Sequence, residues 1–333
     1  MKDIDFSQCN TIVRIEEGTL LSQATFDEML CAHNDADFLR LMERTSYAHD
    51  YEAGGTTAVL NALEKAPGQL TRWALGISPS RELVMLFALR QSYHNLKALS
   101  KASILHVDTR AMIHADGLYD VDTLARAVES RHSKALPPIM ARAIADVMDR
   151  ADQHGDVQQV DAVYDRYMLR QMRGIADELG DDTICDFVCY YADMYNISVL
   201  LRANRQRRSP SFMQSILSSA GAVNKKVWLA QYDRSADALS TNLLASRYAE
   251  LLRAAVDAES GRISAARFER IKDNAYCAQL EGAKLTAFGP LPLLAYLYAK
   301  EGEWANLRMI LKARRSGIDA AAVEERMRNS YAS

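Results

Sequence analysis

The clearest candidate for a metal site is a pair of cysteines four residues apart. Cys185 and Cys189 would face the same side of a helix, a spacing that can hold two zinc ligands. No second pair completes a set of four ligands, and the chain carries only five scattered cysteines. The residues around the pair are apolar, namely Phe187, Val188 and Tyr190. We therefore interpret both cysteines as buried structural thiols.

A second group could also ligate a metal, and it consists of His106, His114, Asp108 and Asp116. All seven histidines precede residue 155, without a recognisable ligand pattern. A surface or core role is the simpler interpretation, so no metal site is expected.

Two carboxylates, Asp161 and Asp165, are spaced to act as a general acid and base. Arg166 and Arg170 lie close by in the sequence, so an exposed, ion-paired helix face explains the carboxylates more simply. The chain has no Gly-x-Ser-x-Gly, no His-Glu-x-x-His and no recognisable Cys-His signature. We therefore expect no catalytic residues and no cofactor. An enzyme with a dispersed site is the least favoured interpretation.

One pattern occurs three times: Asn, Leu/Ile, any, any, Leu/Ile, any, Lys/Arg, Ala. The copies begin at Asn95, Asn196 and Asn306, so they are 101 and 110 residues apart. A single copy would suit any amphipathic helix, whereas three copies indicate a triplicated architecture.

The repeat also defines the candidate site residues. Each is either a strut that holds repeated helices together or a contact to a partner, and the six are Asn95, Lys101, Asn196, Arg202, Asn306 and Lys312. The cations sit in the final turns of the predicted long helices, where they complement the helix dipole. They could instead form a basic crown that meets a partner. The apolar residues after each asparagine are predicted core: Leu96, Ile197 and Leu307.

Composition predicts a largely helical protein. Gly and Pro number only 15 and 7 in 333 residues, and Ala, Leu, Arg, Glu and Met are abundant. A net charge of −3 argues against nucleic-acid binding. No apolar run approaches the roughly 20 residues that cross a bilayer, so direct insertion is not expected. Scattered cysteines and an N-terminus without signal-peptide features indicate a cytoplasmic protein.

Start and stop signals place three long helices. Ser80 and Asp181-Asp182 are suitable N-caps, and Gly289-Pro290 introduces the third helix. Each long helix follows shorter leading helices and precedes a break and a short helix, and no β signature is present. Around the third long helix, the predicted shorter helices lie near Leu243–Val256, near Ala265–Leu285 and at Ala320–Met327. We predict three similar all-α domains, with boundaries at residues 1–130, 131–235 and 236–333.

Three stretches carry a family resemblance. The C-terminal stretch 289–303, continuing through Asn306-Leu307-Arg308 to Lys312, resembles the signature of the C subunit of bacterial and archaeal V-type (A/V-type) ATPases, which is named the d subunit in eukaryotes. The middle domain is similar through residues 160–167, 193–197 and Arg202. The N-terminal residues that suit the family are Arg14, Glu17, Leu20, Leu21, Phe26, Leu41, Thr45 and Tyr47. Leu291 and Trp304 depart from the family pattern.

The resemblance implies a non-catalytic rotor subunit of the central stalk, whose three similar helical domains have a pseudo-threefold, funnel-like arrangement. A rotor part of this kind couples the D and F subunits of the shaft to the membrane ring of proteolipid (c/K/L-type) subunits, for ATP-driven or ATP-producing transport of H⁺ or Na⁺. It sits peripherally on the cytoplasmic face of the membrane. The alternative is a helical-repeat scaffold or adaptor without a motor role. Repeat length separates the two, because stacked solenoids repeat every roughly 30 to 50 residues.

Overall fold

The computed structural model describes residues 2–48, 54–114, 117–154, 158–232, 234–235, 237–238 and 246–332. Within these ranges the chain forms helices and connecting turns, with no β-strand. The predicted all-α fold class is therefore confirmed. No helix in the described ranges is both long and apolar enough to cross a membrane.

The α-helices are numbered here in chain order. They are α1 Ser7–Glu17, α2 Gln23–Cys31, α3 Asp35–Met42, α4 Gly55–Ile77, α5 Arg81–Leu105, α6 Val121–Ser130, α7 Pro138–His154, α8 Gln158–Leu179, α9 Asp182–Arg205, α10 Pro210–Ile216, α11 Lys225–Leu229, α12 Ala249–Glu259, α13 Ala265–Ala278, α14 Leu291–Ser316 and α15 Ala320–Glu324. Short 3₁₀ helices cover Asp3–Phe6, Arg110–Met112 and Glu281–Leu285.

The three predicted long helices are α5, α9 and α14, with 25, 24 and 26 residues. Ser80 Oγ accepts from the Leu83 amide at 3.2 Å, and Asp181 Oδ1 accepts from the Ile184 amide at 2.9 Å. These bonds satisfy amides that lack partners inside the helix. The α14 helix ends at Gly317, whose φ of 64° is a left-handed conformation that suits glycine. The ends of these long helices therefore lie where the capping residues in the sequence predict them.

Some shorter elements differ from expectation. The predicted helix from Ala265 to Leu285 stops at Ala278 and resumes as the 3₁₀ turn Glu281–Leu285, and the predicted tail helix ends at Glu324 instead of Met327. In the described part of the helix predicted near Leu243, residues 246–248 form a turn and the helix starts at Ala249; residues 241–245 lie outside the described ranges. The five-residue α11 was not predicted, because a single turn carries too little periodicity to recognise.

The chain divides into two compact units. The first consists of Met1–Pro79 with Ala245–Ser333, and the second is Ser80–Leu244. This division does not coincide with the boundaries predicted for three repeats. Those boundaries stay a prediction, because compactness and internal repetition are different properties of a chain.

In the first unit α14 is the central element. It contacts α1, α2, α4, α13, α15 and the 3₁₀ turn Glu281–Leu285. In the second unit α8 contacts α5, α7, α9 and α10. The residues predicted as core in the repeat, Leu96, Ile197 and Leu307, are each 0% exposed. Burial of these side chains supplies the main stabilisation of the packed helices.

Candidate functional site: three asparagine clamps and their polar neighbours

The repeated asparagine makes the same pair of hydrogen bonds in all three copies. Asn95 Nδ2 donates to the His114 carbonyl, and the His114 amide donates back to Asn95 Oδ1, both at 2.9 Å. A single amide side chain thereby satisfies both backbone groups of a residue 19 positions later. We call this arrangement a clamp.

The second and third copies follow the same geometry. Asn196 donates to the Ser218 carbonyl at 3.0 Å and accepts from the Ser218 amide at 2.8 Å. Asn306 pairs with the carbonyl and amide of Arg328, each at 2.9 Å. In each case a long helix is joined to the segment that returns after its C-terminal end. The asparagines are 0–1% exposed, which favours the strut interpretation over a partner contact.

One turn before each clamp lies another buried polar residue: Ser92, Asp193 or Glu303. These were not singled out from the sequence. Their spacing could have identified them, because each lies three residues before the repeated asparagine. On a helix that spacing places the two side chains on one face.

Asp193 binds the segment that follows Ser218 in the second clamp. Its Oδ2 accepts from the amides of Ala222 and Val223 at 2.9 and 3.1 Å, and its Oδ1 accepts from Trp228 Nε1 at 3.3 Å. Gly221 is required beside it, because a Cβ at that position would lie 2.0 Å from Asp193 Oδ1. The carboxylate is compensated by three donors in a site with 0% exposure.

Glu303 joins α14 to the N-terminal segment of the first unit. Its Oε1 lies 2.7 Å from Lys300 Nζ and accepts from the Tyr47 hydroxyl. Its Oε2 accepts from the Leu21 amide at 2.5 Å, and Lys300 Nζ also donates to the Tyr47 oxygen at 3.0 Å. Burial, followed by the negative charge of Glu303, raises the pKa of Tyr47 well above its usual value. The phenol therefore stays protonated and donates.

The carboxylates Asp161 and Asp165 are placed differently from the prediction. Lys101 Nζ lies 2.7 Å from the carboxylate of Asp161, and Lys97 Nζ lies 2.5 Å from Asp165 Oδ1, so both join α8 to α5. Neither pairs with Arg166, which binds Asp146 instead. The expectation of an exposed face paired within α8 was wrong, because a single sequence does not show which helix packs alongside.

The same α5–α8 interface carries two neutral polar contacts. The Tyr93 hydroxyl donates to Gln171 Oε1 at 2.8 Å, and the hydroxyls of Ser100 and Tyr164 lie 2.7 Å apart. Burial raises the pKa of Asp165 above its ordinary value, and its ion pair with Lys97 opposes this rise. Polar contacts at successive turns fix the register of the two helices.

The repeated cations are not equivalent. Lys101 is partly buried in its ion pair with Asp161, whereas Arg202 and Lys312 are exposed. The first cation thus supports the helix interface. A single basic crown formed by all three stays a prediction.

The cysteine pair forms ordinary hydrogen bonds. Cys185 Sγ donates to the Ala176 carbonyl at 3.2 Å, and Arg173 Nη1 donates to Cys189 Sγ at 2.8 Å. Burial raises the pKa of both thiols, which disfavours the thiolate that would bind zinc. In the described ranges no three His, Cys, Asp or Glu residues are grouped to hold a metal.

The histidine group is also accounted for, except for Asp116, which lies outside the described residues. His106 ends α5 in a left-handed conformation, and Asp108 pairs with Arg110. The ring of His114 contacts that of His94 in a tilted arrangement, with centroids 4.9 Å apart. These contacts are local and structural.

Comparison with known proteins covers almost the entire chain. The family described as ATP synthase (C/AC39) subunit matches residues 9–326. The C subunit of the V-type sodium ATPase of Enterococcus hirae is 29% identical over 328 residues, covering 98% of this chain and 99% of that protein. The C subunit of the V-type ATP synthase of Thermus thermophilus is 26% identical over 335 residues, covering 96% and 98%. The C subunit of the A-type ATP synthase of Methanobrevibacter smithii is 22% identical over 331 residues, covering 91% and 82%.

Proposed function

Because the chain belongs to the ATP synthase (C/AC39) subunit family, whose members are non-catalytic parts of V- and A-type ATPases, we propose that it is a rotor subunit of a central stalk. In this proposal it connects the D and F subunits of the shaft to the membrane ring of proteolipid subunits. It sits peripherally on the cytoplasmic face of the membrane. The observation that carries the proposal is the family match over residues 9–326, which leaves no large part of the chain for another role.

Such a subunit must transmit torque, and torque is lost in compliant connections. Each clamp joins a long helix to its returning segment by two hydrogen bonds from one short side chain, which leaves little freedom for sliding. The α5–α8 contacts and the Glu303 cluster fix further elements against α5 and α14. These features support stiffness within each of the two units, which the transmission of torque requires.

We further propose that the three long helices are the struts of three related domains, arranged about a pseudo-threefold axis. Support comes from the clamp itself, because the same residue makes the same two bonds at corresponding points of α5, α9 and α14. The asparagines are then struts. Arg202 and Lys312 are exposed and remain candidates for contact with a partner.

The proposal is tested by purifying the complex through an affinity tag on this chain. The D and F subunits and the proteolipid ring should be recovered together, and membranes that lack the chain should hydrolyse ATP without ion transport. A stable free monomer that recovers none of these partners would refute the proposal. Ion transport that persists without the chain would refute it as well.

A further inference from the structure

One segment of the second unit has an unusual charge distribution. Residues 194–232 contain six cationic side chains and no Asp or Glu, whereas the whole chain has a net charge of −3. Four of the six are arginines at the C-terminal end of α9, namely Arg202, Arg205, Arg207 and Arg208. Like charges this close repel one another unless a counter-charge is present.

Complementation of the helix dipole does not account for the whole cluster. Backbone amides already satisfy the last carbonyls of α9, since the Gln206 amide bonds the Arg202 carbonyl and the Arg208 amide bonds the Ala203 carbonyl, each at 3.0 Å. Arg207 lies beyond the helix with a φ of 52°, in the left-handed region that non-glycine residues seldom adopt. Among the described residues, neither Arg205 nor Arg207 has a carboxylate partner, and both are exposed.

Two of the arginines border a shallow recess of about 520 Å³, which is lined by Gln206, Arg207, Arg208, Ser209 and Phe212. The guanidinium of Arg208 stacks over the Phe212 ring at 5.1 Å from its centroid. Asn204 Nδ2 donates to the Arg234 carbonyl at 2.8 Å, which brings the backbone of a further exposed arginine to the same end of α9. We call Arg205, Arg207, Arg208 and Arg234 the arginine surface.

The other two long helices do not end in this way. At the end of α14, Arg314 binds Asp35 and the Ala32 carbonyl, and Arg315 donates to the Thr57 hydroxyl, all within the same unit. After α5 the nearest arginine, Arg110, pairs with Asp108. The side chains of those arginines are held by groups of the protein, whereas Arg205 and Arg207 have no carboxylate partner among the described residues, and this difference points to an external anion.

We propose that the arginine surface binds the phosphate groups of anionic phospholipids. This inference rests on the proposed function, which places the chain against a membrane. Guanidinium groups match phosphate oxygens in pairs, and clusters of four or more basic residues beside a membrane attract anionic headgroups. A protein partner is less well matched, because protein interfaces have an apolar centre and the one aromatic side chain of the recess is covered by Arg208.

The test uses the full chain in vesicle flotation, with vesicles of phosphatidylcholine alone or mixed with phosphatidylglycerol. Binding is expected only to the mixed vesicles, and it should disappear in 1 M salt, where the screening length falls to about 3 Å. The variant R205Q/R207Q should bind about thirty-fold more weakly, because each basic residue near an anionic surface contributes about 1 kcal/mol. The matched control K65Q/K134Q removes two exposed charges elsewhere and should bind as the parent does.

Two other outcomes overturn the proposal. The first is equal weakening in R205Q/R207Q and in K65Q/K134Q, which would indicate attraction by total charge alone. The second is the absence of vesicle binding. This result overturns the proposal even if the arginines bind inorganic pyrophosphate in equilibrium dialysis, or an acidic protein in the purification through the tagged chain. Unfolding in urea shows whether each variant is folded. Recovery of the D and F subunits and the ring is measured separately, so failure of the rotor assignment is distinguishable from failure of lipid binding.

Discussion

Replacing Asn196 by alanine isolates the contribution of one clamp. The substitution removes the partner of the Ser218 amide and of the Ser218 carbonyl, and Ser218 is only 1% exposed. Water therefore has little access to the two groups. The equivalent residues of the other clamps, His114 and Arg328, are only partly buried, so water can replace the lost side chain there.

The magnitudes follow from this difference. A buried backbone group left without a partner costs about 1–3 kcal/mol, so Asn196→Ala should lower the free energy of unfolding by about 2–4 kcal/mol. Asn95→Ala and Asn306→Ala should each cost about 1–2 kcal/mol, because solvation offsets part of the loss. Asn61→Ala, on the exposed face of α4, should stay within about 0.5 kcal/mol of the parent.

Two measurements check these values. Urea unfolding followed by the fluorescence of Trp228, the only tryptophan of the second unit, reports Asn95→Ala and Asn196→Ala once Trp73 and Trp304 are replaced by phenylalanine. Asn306→Ala and Asn61→Ala lie in the first unit and are followed by the fluorescence of Trp73 and Trp304, with Trp228 replaced by phenylalanine. Hydrogen exchange reports the clamp directly. Exchange of the Ser218 amide should accelerate by at least about tenfold in Asn196→Ala, since about 1.4 kcal/mol corresponds to a factor of ten.

The order of the measured losses in free energy of unfolding tests the strut interpretation. If Asn196→Ala behaves like Asn61→Ala, the clamp does not stabilise the unit. If all three clamp variants cost the same, burial of the receiving backbone does not decide the energy. Either result would contradict the strut interpretation of the asparagines.

Three further predictions concern the neighbouring residues. Gly221→Ala should destabilise by about 1–3 kcal/mol in urea unfolding, because its Cβ would overlap the Asp193 carboxylate, whereas Gly174→Ala, with open space on α8, should stabilise by up to about 1 kcal/mol. Glu303→Gln should cost about 3–5 kcal/mol on the same scale, because it leaves the buried lysine partner without a counter-charge. Between about pH 10 and 11 the parent should lose about 1 kcal/mol more than Tyr47→Phe, since the raised pKa of Tyr47 keeps its proton in the folded state while the unfolded state releases it.

Each of these three predictions has an outcome that would contradict it. Equal stability of the two glycine variants would show that the Asp193 site relaxes freely. A cost below about 1 kcal/mol for Glu303→Gln would mean that water reaches Lys300. Parallel alkaline unfolding curves for the parent and Tyr47→Phe would show that the phenol ionises in the folded protein.

Much of the fold could be predicted because its signals are local. Ser80 and Asp181 cap helices through amides three residues away, so their effect is visible in a short stretch of sequence. The clamp asparagines could be found because the same short pattern recurs three times in the sequence. The partner of Asp161 could not be found in this way, since an aspartate beside an arginine in sequence gives no sign of a lysine on another helix.

The sequence by itself determined the helical class, the ends of the long helices, the threefold recurrence of the asparagine and the family. These depend on capping, periodicity and residue identity within a few turns. Only the tertiary structure decided what each polar side chain binds. Glu303 meets Tyr47 across 256 positions and Lys101 meets Asp161 across 60. Glu303 and Tyr47 bind each other where burial removes water from both groups at once, and Lys101 meets Asp161 because α5 packs beside α8. Both depend on how the chain packs.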